Sequence, residues 1–253
     1  MKINLKDVTF NIPFKKDSDE RVENAVTIIK YIQKYFDTNI IVCEQDTTRN
    51  FPEIPDIKYF FIPATNYILL RTAMLNKMCK LSETPYIANY DTDVLFPVNQ
   101  YVAAMEALKQ NLSDGVFPYN GRFMNYIGHE RRTIIDTLSL DNMTEAQGHL
   151  NHPNSVGGAI FWNKQKFIEG GMENENFKAW GFEDNERVTR FSRLGYRIGR
   201  IDGILFHLNH PTSENSSNTR HQAYIDNQIE CNKVASMPVD KLRQYVNSWP
   251  WRK

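Results

Sequence analysis

Cysteine and long apolar runs are both scarce in this sequence. Cys43, Cys79 and Cys231 are far apart, odd in number and form no CxxC pair, which argues against a disulfide framework or a zinc ribbon. Reduced, buried thiols in a cytoplasmic protein are expected instead. No run of roughly 18 apolar residues occurs, and the N-terminus MKINLKDVTFNIPF does not resemble a signal peptide. We expect no transmembrane segment, although peripheral association with a membrane stays open.

An excess of either charge is also missing. Lys+Arg and Asp+Glu number 30 each, so the chain lacks the basic footprint typical of nucleic-acid binding. The 253 residues are 41% hydrophobic and 12% aromatic, enough for a sizeable core in one α/β domain. Apart from one pentapeptide there is no internal repeat.

Hydrophobic periodicity alternates between strands and helices over the first half of the chain. Strands are predicted at 7–14, 39–46, 58–64 and 85–97, and helices at 18–36, 66–82 and 98–113. This β-α-β-β-α-β-α order predicts a mostly parallel sheet with helices on both faces.

The pattern weakens from 114 to 154, where only a short strand and one helix are indicated. We expect an irregular functional loop or lid there. Beyond it, strands are predicted at 156–163 and 196–208, and helices at 164–171, 183–195, 218–236 and 238–249.

Two acidic residues follow a predicted strand in NYDTDVLFP. Asp91 and Asp93 flank Thr92 at the carboxyl end of that strand, the edge at which parallel sheets bind ligands. Their mutual repulsion is relieved by a cation, and Mg²⁺ or Mn²⁺ bridging to a diphosphate is the natural solution. The alternative is a capping and turn role.

A second acidic group opens a predicted helix in FKAWGFEDNERVTRF. Glu183, Asp184 and Glu186 are stabilised there by the helix dipole, so a capping box of solvated acids explains them as well as catalysis does. The preceding Trp180 favours a sugar site, because an aromatic ring beside a carboxylate commonly holds a sugar.

Two weaker signals lie elsewhere. Gly157 and Gly158 would let a ligand approach the backbone closely, or would form a bulge. Arg71, on a helix with apolar neighbours, would reach a phosphate or base, or would pair with a nearby acid.

The pentapeptide HLNHP occurs twice, at 149–153 and 207–211, and holds four of the six histidines. Paired imidazoles are common metal ligands. In the second copy, His207 and His210 follow the apolar strand GILF, and a mixed Asp/His set suits Mn²⁺. The first copy lies in the irregular segment without a rigid support, so we interpret it as coincidence in a turn-rich region.

In order along the chain, these motifs resemble GT-A glycosyltransferases of the β-1,4-galactosyltransferase-like group, with its chondroitin-polymerase and N-acetylgalactosaminyltransferase relatives. IPFK at 12–15 resembles the group's IPFR, LLRTAMLN at 69–76 its FNRAKLLN, and YDTDVLFP its SDVDLIP. VGGAIF…WGFEDNERVTR at 156–190 resembles FGG…WGWGGEDDD…R, and HLNH resembles MIRH. The similarity spans roughly residues 8–211.

The resemblance implies one GT-A domain, with a Rossmann-like nucleotide-binding half at 1–97. Residues 98–211, with the loop 115–154, would bind donor sugar and acceptor, and C-terminal helices would follow at 212–253.

The resemblance also assigns roles to residues. Nucleotide binding is implied for Pro13, Phe14, Lys15, Arg71, Asp91 and Thr92, and metal binding for Asp93, His207 and His210. Gly157, Gly158, Trp180 and Glu183 would face the donor or acceptor sugar. Asp184 would be the catalytic base.

The implied activity is metal-dependent transfer of a hexose, Gal or GalNAc favoured, from a UDP-sugar to a saccharide or glycoconjugate acceptor. The cofactor would be Mn²⁺ or Mg²⁺, and a base opposite the leaving group predicts inversion. Because the Golgi relatives carry an anchor without a counterpart here, we expect a bacterial polysaccharide or glycoconjugate enzyme.

The chain departs from this pattern in places. Phe182 stands where the galactosyltransferases have Gly, and segment 115–154 has no clear counterpart. WGFEDNE also resembles the WGGEN of polypeptide N-acetylgalactosaminyltransferases, which retain configuration. Two other functions stay open: a metal-dependent hydrolase using the DxD and both HLNHP copies, and a non-catalytic sugar-binding module.

Overall fold

The computed structural model describes residues 1–213, 215, 219 and 222–252. Its strands are β1 (Ile3–Phe14), β2 (Phe36–Asp46), β3 (Lys58–Pro63), β4 (Tyr86–Tyr90), β5 (Val94–Leu95), β6 (Gly115–Phe117), β7 (Phe123–Tyr126), β8 (His149–His152), β9 (Ala159–Asn163), β10 (Ile198–Arg200) and β11 (Leu205–Leu208). Its α-helices are α1 (Asp19–Tyr35), α2 (Arg71–Leu81), α3 (Val98–Lys109), α4 (Gly128–Thr137), α5 (Lys164–Glu169), α6 (Glu183–Arg193), α7 (Gln222–Ser236) and α8 (Val239–Asn247).

The strands form two sheets. The larger has the order β10-β6-β9-β4-β1-β2-β3, with β9 antiparallel to both its neighbours and all other pairs parallel. The smaller has the order β5-β11-β7-β8, in which only β11 and β7 run parallel. The expected mixed, mostly parallel α/β sheet is thus confirmed.

Strand β2 shows why helices cover both faces of the larger sheet. Successive side chains of a strand point to opposite faces, and every residue from Ile40 to Asp46 is buried. Ile40 and Val42 pack in the main core with apolar residues of α1, whereas Ile41 and Cys43 pack in a second core with Met74 and neighbours on α2. A strand buried on both sides reads as a continuous apolar run, which is the pattern of NIIVC.

Three predicted elements have different bounds in the structure. The strand predicted at 85–97 is two strands, because the polar turn Asp91–Asp93 separates β4 from β5 and the two belong to different sheets. The helix predicted at 66–82 begins only at Arg71, since side-chain hydrogen bonds hold the preceding backbone in a loop: Leu70 N donates to Gln45 Oε1 at 2.8 Å. The strand predicted at 196–208 is divided between the sheets as β10 and β11.

The segment expected to be irregular is largely ordered. It contains β6, β7, α4 and β8, and the first HLNHP copy forms β8, paired antiparallel with β7. The interpretation of that copy as a turn without a rigid support was wrong. All four residues of β8 are exposed, so this edge strand lacks the run of apolar residues by which a strand is recognised in sequence.

Two findings concern the remaining helices. The helix predicted at 218–236 is observed from Gln222, and residues 218, 220 and 221 lie outside the described residues. None of the helices in the described ranges is both long enough and apolar enough to cross a membrane.

Candidate active site

A cleft of about 600 Å³ opens beside the carboxyl ends of β1, β4 and β11. All of the predicted site residues line it except Phe14 and Lys15. Residues far apart in sequence meet there because β1 and β4 are parallel neighbours in the larger sheet and β11 of the smaller sheet ends beside them.

The two exceptions lie just behind the cleft. Phe14 is fully buried and packs edge-on against Phe51, with ring centroids 5.0 Å apart. Lys15 is buried as well, and its Nζ pairs with Asp46 Oδ1 at 3.3 Å. The ring of Phe14 therefore belongs to the core, and its predicted nucleotide contact would have to be made by the backbone.

Asp93, His207 and His210 form a compact group of metal-binding type. Their ligand atoms lie within 4.8 Å of one another, and no other such group occurs in residues 1–213, 215, 219 and 222–252. Asp93 Oδ2 lies 3.0 Å from His210 Nε2 and 3.8 Å from His207 Nε2. One carboxylate and two imidazoles are a donor set that suits Mn²⁺ and related divalent ions.

The two histidine rings present their Nε2 atoms to Asp93 Oδ2, and their Nδ1 atoms face other partners. His210 Nδ1 lies 2.8 Å from the carbonyl oxygen of Pro211, to which it can donate. His207 Nδ1 lies 2.5 Å from Asn125 Oδ1, and the Asn125 amide nitrogen donates to Asn209 Oδ1 at 2.9 Å. Such outer hydrogen bonds orient metal-ligating histidines, so the residues present fit a bound cation.

Electrostatics separates the two aspartates of the DxD motif. Burial opposes ionisation of Asp93, but hydrogen bonds from His207 and His210 and the charge of Arg21 hold its pKa well below the usual range. Burial raises the pKa of Asp91, although Arg71 opposes the rise. An ionised carboxylate is what metal ligation needs, so Asp93 is the better prepared of the pair.

Arg71 links the DxD turn to α6. Its Nε and NH2 donate to Asp91 Oδ1 at 3.1 and 2.6 Å, and its NH1 lies 3.6 Å from Asp184 Oδ1. The sequence left open whether this arginine pairs with an acid, and in the structure it pairs with two. Arg71 also lines the cleft, and its contact with a nucleotide stays a prediction.

Asp184 lines the cleft and is held through one of its two carboxylate oxygens. Oδ1 accepts from Arg187 NH2 at 2.6 Å, and Arg187 is itself buried and anchored to Glu173 at 3.0 Å. No donor in the described ranges reaches Oδ2, which lies 2.8 Å from where a Cβ on Gly157 would be. A side chain at position 157 would therefore block this oxygen.

The three acids at the start of α6 do not form a capping box. The N-cap residue is Phe182, and no side chain caps the helix. Glu186 is buried against Arg190 at 2.7 Å, whereas Glu183 and Asp184 line the cleft. A capping box of solvated acids is therefore not observed, although Glu183 Oε2 accepts from Gly181 N just before the helix.

Glu183 is an acid of the cleft whose pKa is raised. It is only 9% exposed, and burial together with the charge of Asp184 raises its pKa to about 7. Arg71 and Arg187 oppose the rise, and Gly181 N donates to Oε2 at 3.0 Å.

We expect Glu183→Gln to stabilise the fold in a pH-dependent way. Because the folded pKa of about 7 lies above the ordinary 4.5, the folded state keeps a proton that the unfolded state has released between these values. As pH rises from 4.5 to about 7, the free energy of unfolding of the wild type therefore falls relative to that of the variant. Above pH 7 the wild type is less stable than the variant by about 3 kcal/mol. Chemical unfolding at pH 4.5 and at pH 8 measures it.

The matched control is Glu53→Gln at an exposed position. Its free energy of unfolding should equal that of the wild type at both pH values. A stability difference for Glu183→Gln that stayed constant with pH would contradict a raised pKa.

Gly158 joins the DxD turn to the small sheet. Its φ is +83°, and a Cβ there would lie 2.6 Å from Leu205 Cδ1, so the position requires glycine. Asp91 N donates to Gly158 O at 2.8 Å, which fixes the turn against the start of β9.

An aromatic platform stands at the mouth of the cleft. Trp180 is 36% exposed and stacks on Tyr224 of α7, with centroids 5.7 Å apart and ring planes 9° apart. Phe182, with φ +68°, lies 4.9 Å from the same tyrosine. The side chain that replaces the family's glycine thus joins Trp180 in this platform.

Sequence reasoning missed four residues that shape the site. Arg187 lies one helical turn after Asp184, a spacing that could have suggested an ion pair. Arg21, Asn125 and Glu173 come from remote segments, and only the fold brings them to the site. The first HLNHP copy borders the cleft through His152, but both of its histidines are exposed and outside the metal group.

Comparisons with known proteins agree with this geometry. The family model for the N-terminal domain of galactosyltransferase matches residues 140–212. No curated protein matches the chain significantly in sequence.

Two solved structures illustrate the similarity of fold. The catalytic domain of Drosophila β1,4-galactosyltransferase 7, solved with xylobiose, has a TM-score of 0.53 and 12% identity, covering 93% of this chain and 84% of that one. A mannosyltransferase from Pyrobaculum calidifontis, solved with GDP-Man and Mn²⁺, has a TM-score of 0.57 and 14% identity, covering 97% and 71%. Since the sequences are so divergent, the likeness concerns the fold: the chain has the GT-A fold in a galactosyltransferase-like form.

Proposed function

We propose that this protein is a metal-dependent glycosyltransferase that moves a hexose from a UDP-sugar to a saccharide or glycoconjugate acceptor with inversion. One observation carries the proposal: the metal-type group of Asp93, His207 and His210 and the carboxylate of Asp184 line the same cleft. A metal-dependent, inverting transfer would use both, the metal for the leaving diphosphate and the carboxylate for the proton of the acceptor hydroxyl.

On this proposal, residues 1–97 hold the nucleotide. The end of β1 at Pro13 and the turn at Asp91 border the part of the cleft that would take it. A Mn²⁺ or Mg²⁺ ion held by Asp93, His207 and His210 would offset the negative charge that develops on the leaving diphosphate.

Asp184 is the proposed base. Arg187 and Arg71 fix Oδ1, so Oδ2 keeps a defined direction and can accept the proton of the acceptor hydroxyl as that oxygen attacks the anomeric carbon. A base on the face opposite the leaving group gives inversion. The anomeric configuration of the product, read by proton NMR, tests this point.

The aromatic platform of Trp180 and Tyr224 is the proposed acceptor subsite. An exposed ring at the mouth of a cleft offers an apolar face on which a pyranose can stack. The similar Drosophila enzyme was solved with the disaccharide xylobiose, which supports a saccharide acceptor here.

A donor screen tests the proposal. UDP-Gal, UDP-GalNAc, UDP-Glc, UDP-GlcNAc and GDP-Man are each added with and without Mn²⁺, and hydrolysis and thermal stabilisation are measured. Metal-dependent stabilisation by a UDP-hexose, with Gal or GalNAc strongest, is expected. A response to GDP-Man alone would assign the donor to the other nucleotide, and no metal-dependent response would contradict the function.

A further inference from the structure

Arg21 stands against the metal-binding group, where neither the motifs nor the resemblance places a residue. It lies in the first turn of α1, whose N-cap Ser18 accepts from its backbone N at 3.2 Å. Its NH1 lies 3.3 Å from Asp93 Oδ2 and its NH2 3.1 Å from His210 Nε2. The side chain is 17% exposed and lines the cleft.

The contacts of Arg21 coincide with those that a bound metal would make. Asp93 Oδ2 and His210 Nε2 lie 3.0 Å apart, and the Arg21 guanidinium lies within 3.3 Å of both. The positive charge of Arg21 therefore stands beside two of the candidate ligand atoms.

The fit of Arg21 to this place is imperfect. Its contacts with Asp93 and Thr92 are both 3.3 Å, longer than a strong charge-assisted hydrogen bond. Its Nε is buried and, among the described residues, has no hydrogen-bond partner. Asp17 Oδ2 lies 3.9 Å from this Nε. The contacts of Arg21 with Asp93 and Thr92 therefore fall short of a well-formed bidentate ion pair.

A divalent cation and the guanidinium cannot both occupy this position. They would share Asp93 and His210 as partners, and at such short range their like charges repel strongly. Entry of the metal would therefore move the Arg21 side chain toward the open cleft. A nucleotide diphosphate is the anion expected there under the proposed function, and the planar fork of arginine suits phosphate oxygens.

We propose that Arg21 is a resident counter-cation of the metal site that metal displaces and the donor diphosphate then binds. This inference rests on the proposed function. Arg21 would lower the affinity for metal when no nucleotide is bound. Binding of the nucleotide would remove this competition, so each ligand would raise the affinity for the other. Arg21 acts as a binding residue for the donor and as a competitor of the free metal.

The experiment compares wild type, Arg21→Gln and Arg21→Lys in two titrations. Free Mn²⁺ is followed by electron paramagnetic resonance without nucleotide, and UDP binding is followed by calorimetry at saturating Mn²⁺. Arg21→Gln is expected to bind Mn²⁺ about tenfold more tightly, since a competing charge is gone, and UDP about tenfold more weakly, since a phosphate contact is lost. Arg21→Lys, which keeps the charge, is expected to lie between.

The control is Arg132→Gln, an exposed arginine on α4 whose loss leaves both affinities unchanged. Melting curves verify that all the variants fold. If Arg21→Gln bound Mn²⁺ no more tightly than the wild type, Arg21 would not compete with the metal. If it bound UDP as tightly as the wild type, Arg21 would not bind the diphosphate. Absence of metal-dependent UDP binding in the wild type would instead contradict the proposed function, so the two failures are distinguishable.

Discussion

Asp184→Asn is expected to lower turnover by roughly 1,000-fold, the middle of the range for loss of a positioned general base. The amide keeps the size of the side chain and its contact with Arg187, but its second polar atom cannot take a proton at neutral pH. Binding of UDP with Mn²⁺ should change little, because Asp93 and the two histidines are untouched. Steady-state kinetics and calorimetry on the same preparation separate the two effects.

Two other variants sharpen this result. Asp136→Asn makes the same chemical change at an exposed position on α4 and should leave turnover unaltered. Glu183→Gln should keep most of the turnover, because the proposal assigns proton transfer to Asp184. If Glu183→Gln abolished turnover and Asp184→Asn did not, the base would be Glu183, whose raised pKa makes it the chemical competitor.

His210→Ala is expected to weaken Mn²⁺ binding by about 100-fold or more. Even loss of an outer hydrogen-bond partner weakens metal sites by about 10- to 100-fold, and here a ligand itself is removed. Equilibrium dialysis with metal analysis measures the change. Transfer activity should fall in parallel at limiting Mn²⁺ and recover in part at high Mn²⁺.

The twin motif provides the matched control. His152→Ala changes the corresponding histidine of the first HLNHP copy, which is exposed on β8 and outside the metal group. Mn²⁺ affinity should be unchanged in this variant. Equal losses in His152→Ala and His210→Ala would contradict a single site and would favour the two-metal hydrolase considered from sequence.

The strand-end residues are the part of the site that could be predicted from sequence. An apolar run followed at once by acids, as at Asp91–Asp93 after β4, marks the edge of the mostly parallel sheet. His207 and His210 lie at the end of β11 in the smaller sheet and reach the same cleft. That rule brought the metal group and the cleft together correctly. The same rule gives no reason to place the first HLNHP copy at a site, because no buried strand comes directly before it.

The smaller sheet could not be predicted from local pattern. Its strands are two to four residues long, and their partners are set by the fold rather than by neighbouring sequence. Both HLNHP copies lie in it, with β7 between them, so a repeat that looked like two equivalent clamps is one buried and one exposed strand. Periodicity over so few residues cannot separate such cases.

The charged partners inside the site escaped prediction for a related reason. Arg21 on α1 and Asn125 on β7 meet Asp93 and His207 only across long sequence separations. Glu173 lies in a loop and is almost fully buried because Arg187 and Asn89 satisfy it. A residue of this kind looks like any surface acid until its partners are known.

The most direct test of the central claim is calorimetric titration of UDP into the wild type and His210→Ala, with and without Mn²⁺. We expect UDP to bind the wild type tightly only when Mn²⁺ is present, and His210→Ala to lose that metal-dependent gain. UDP binding of equal strength with and without metal, or a gain that survives in His210→Ala, would contradict a metal–nucleotide site at Asp93, His207 and His210.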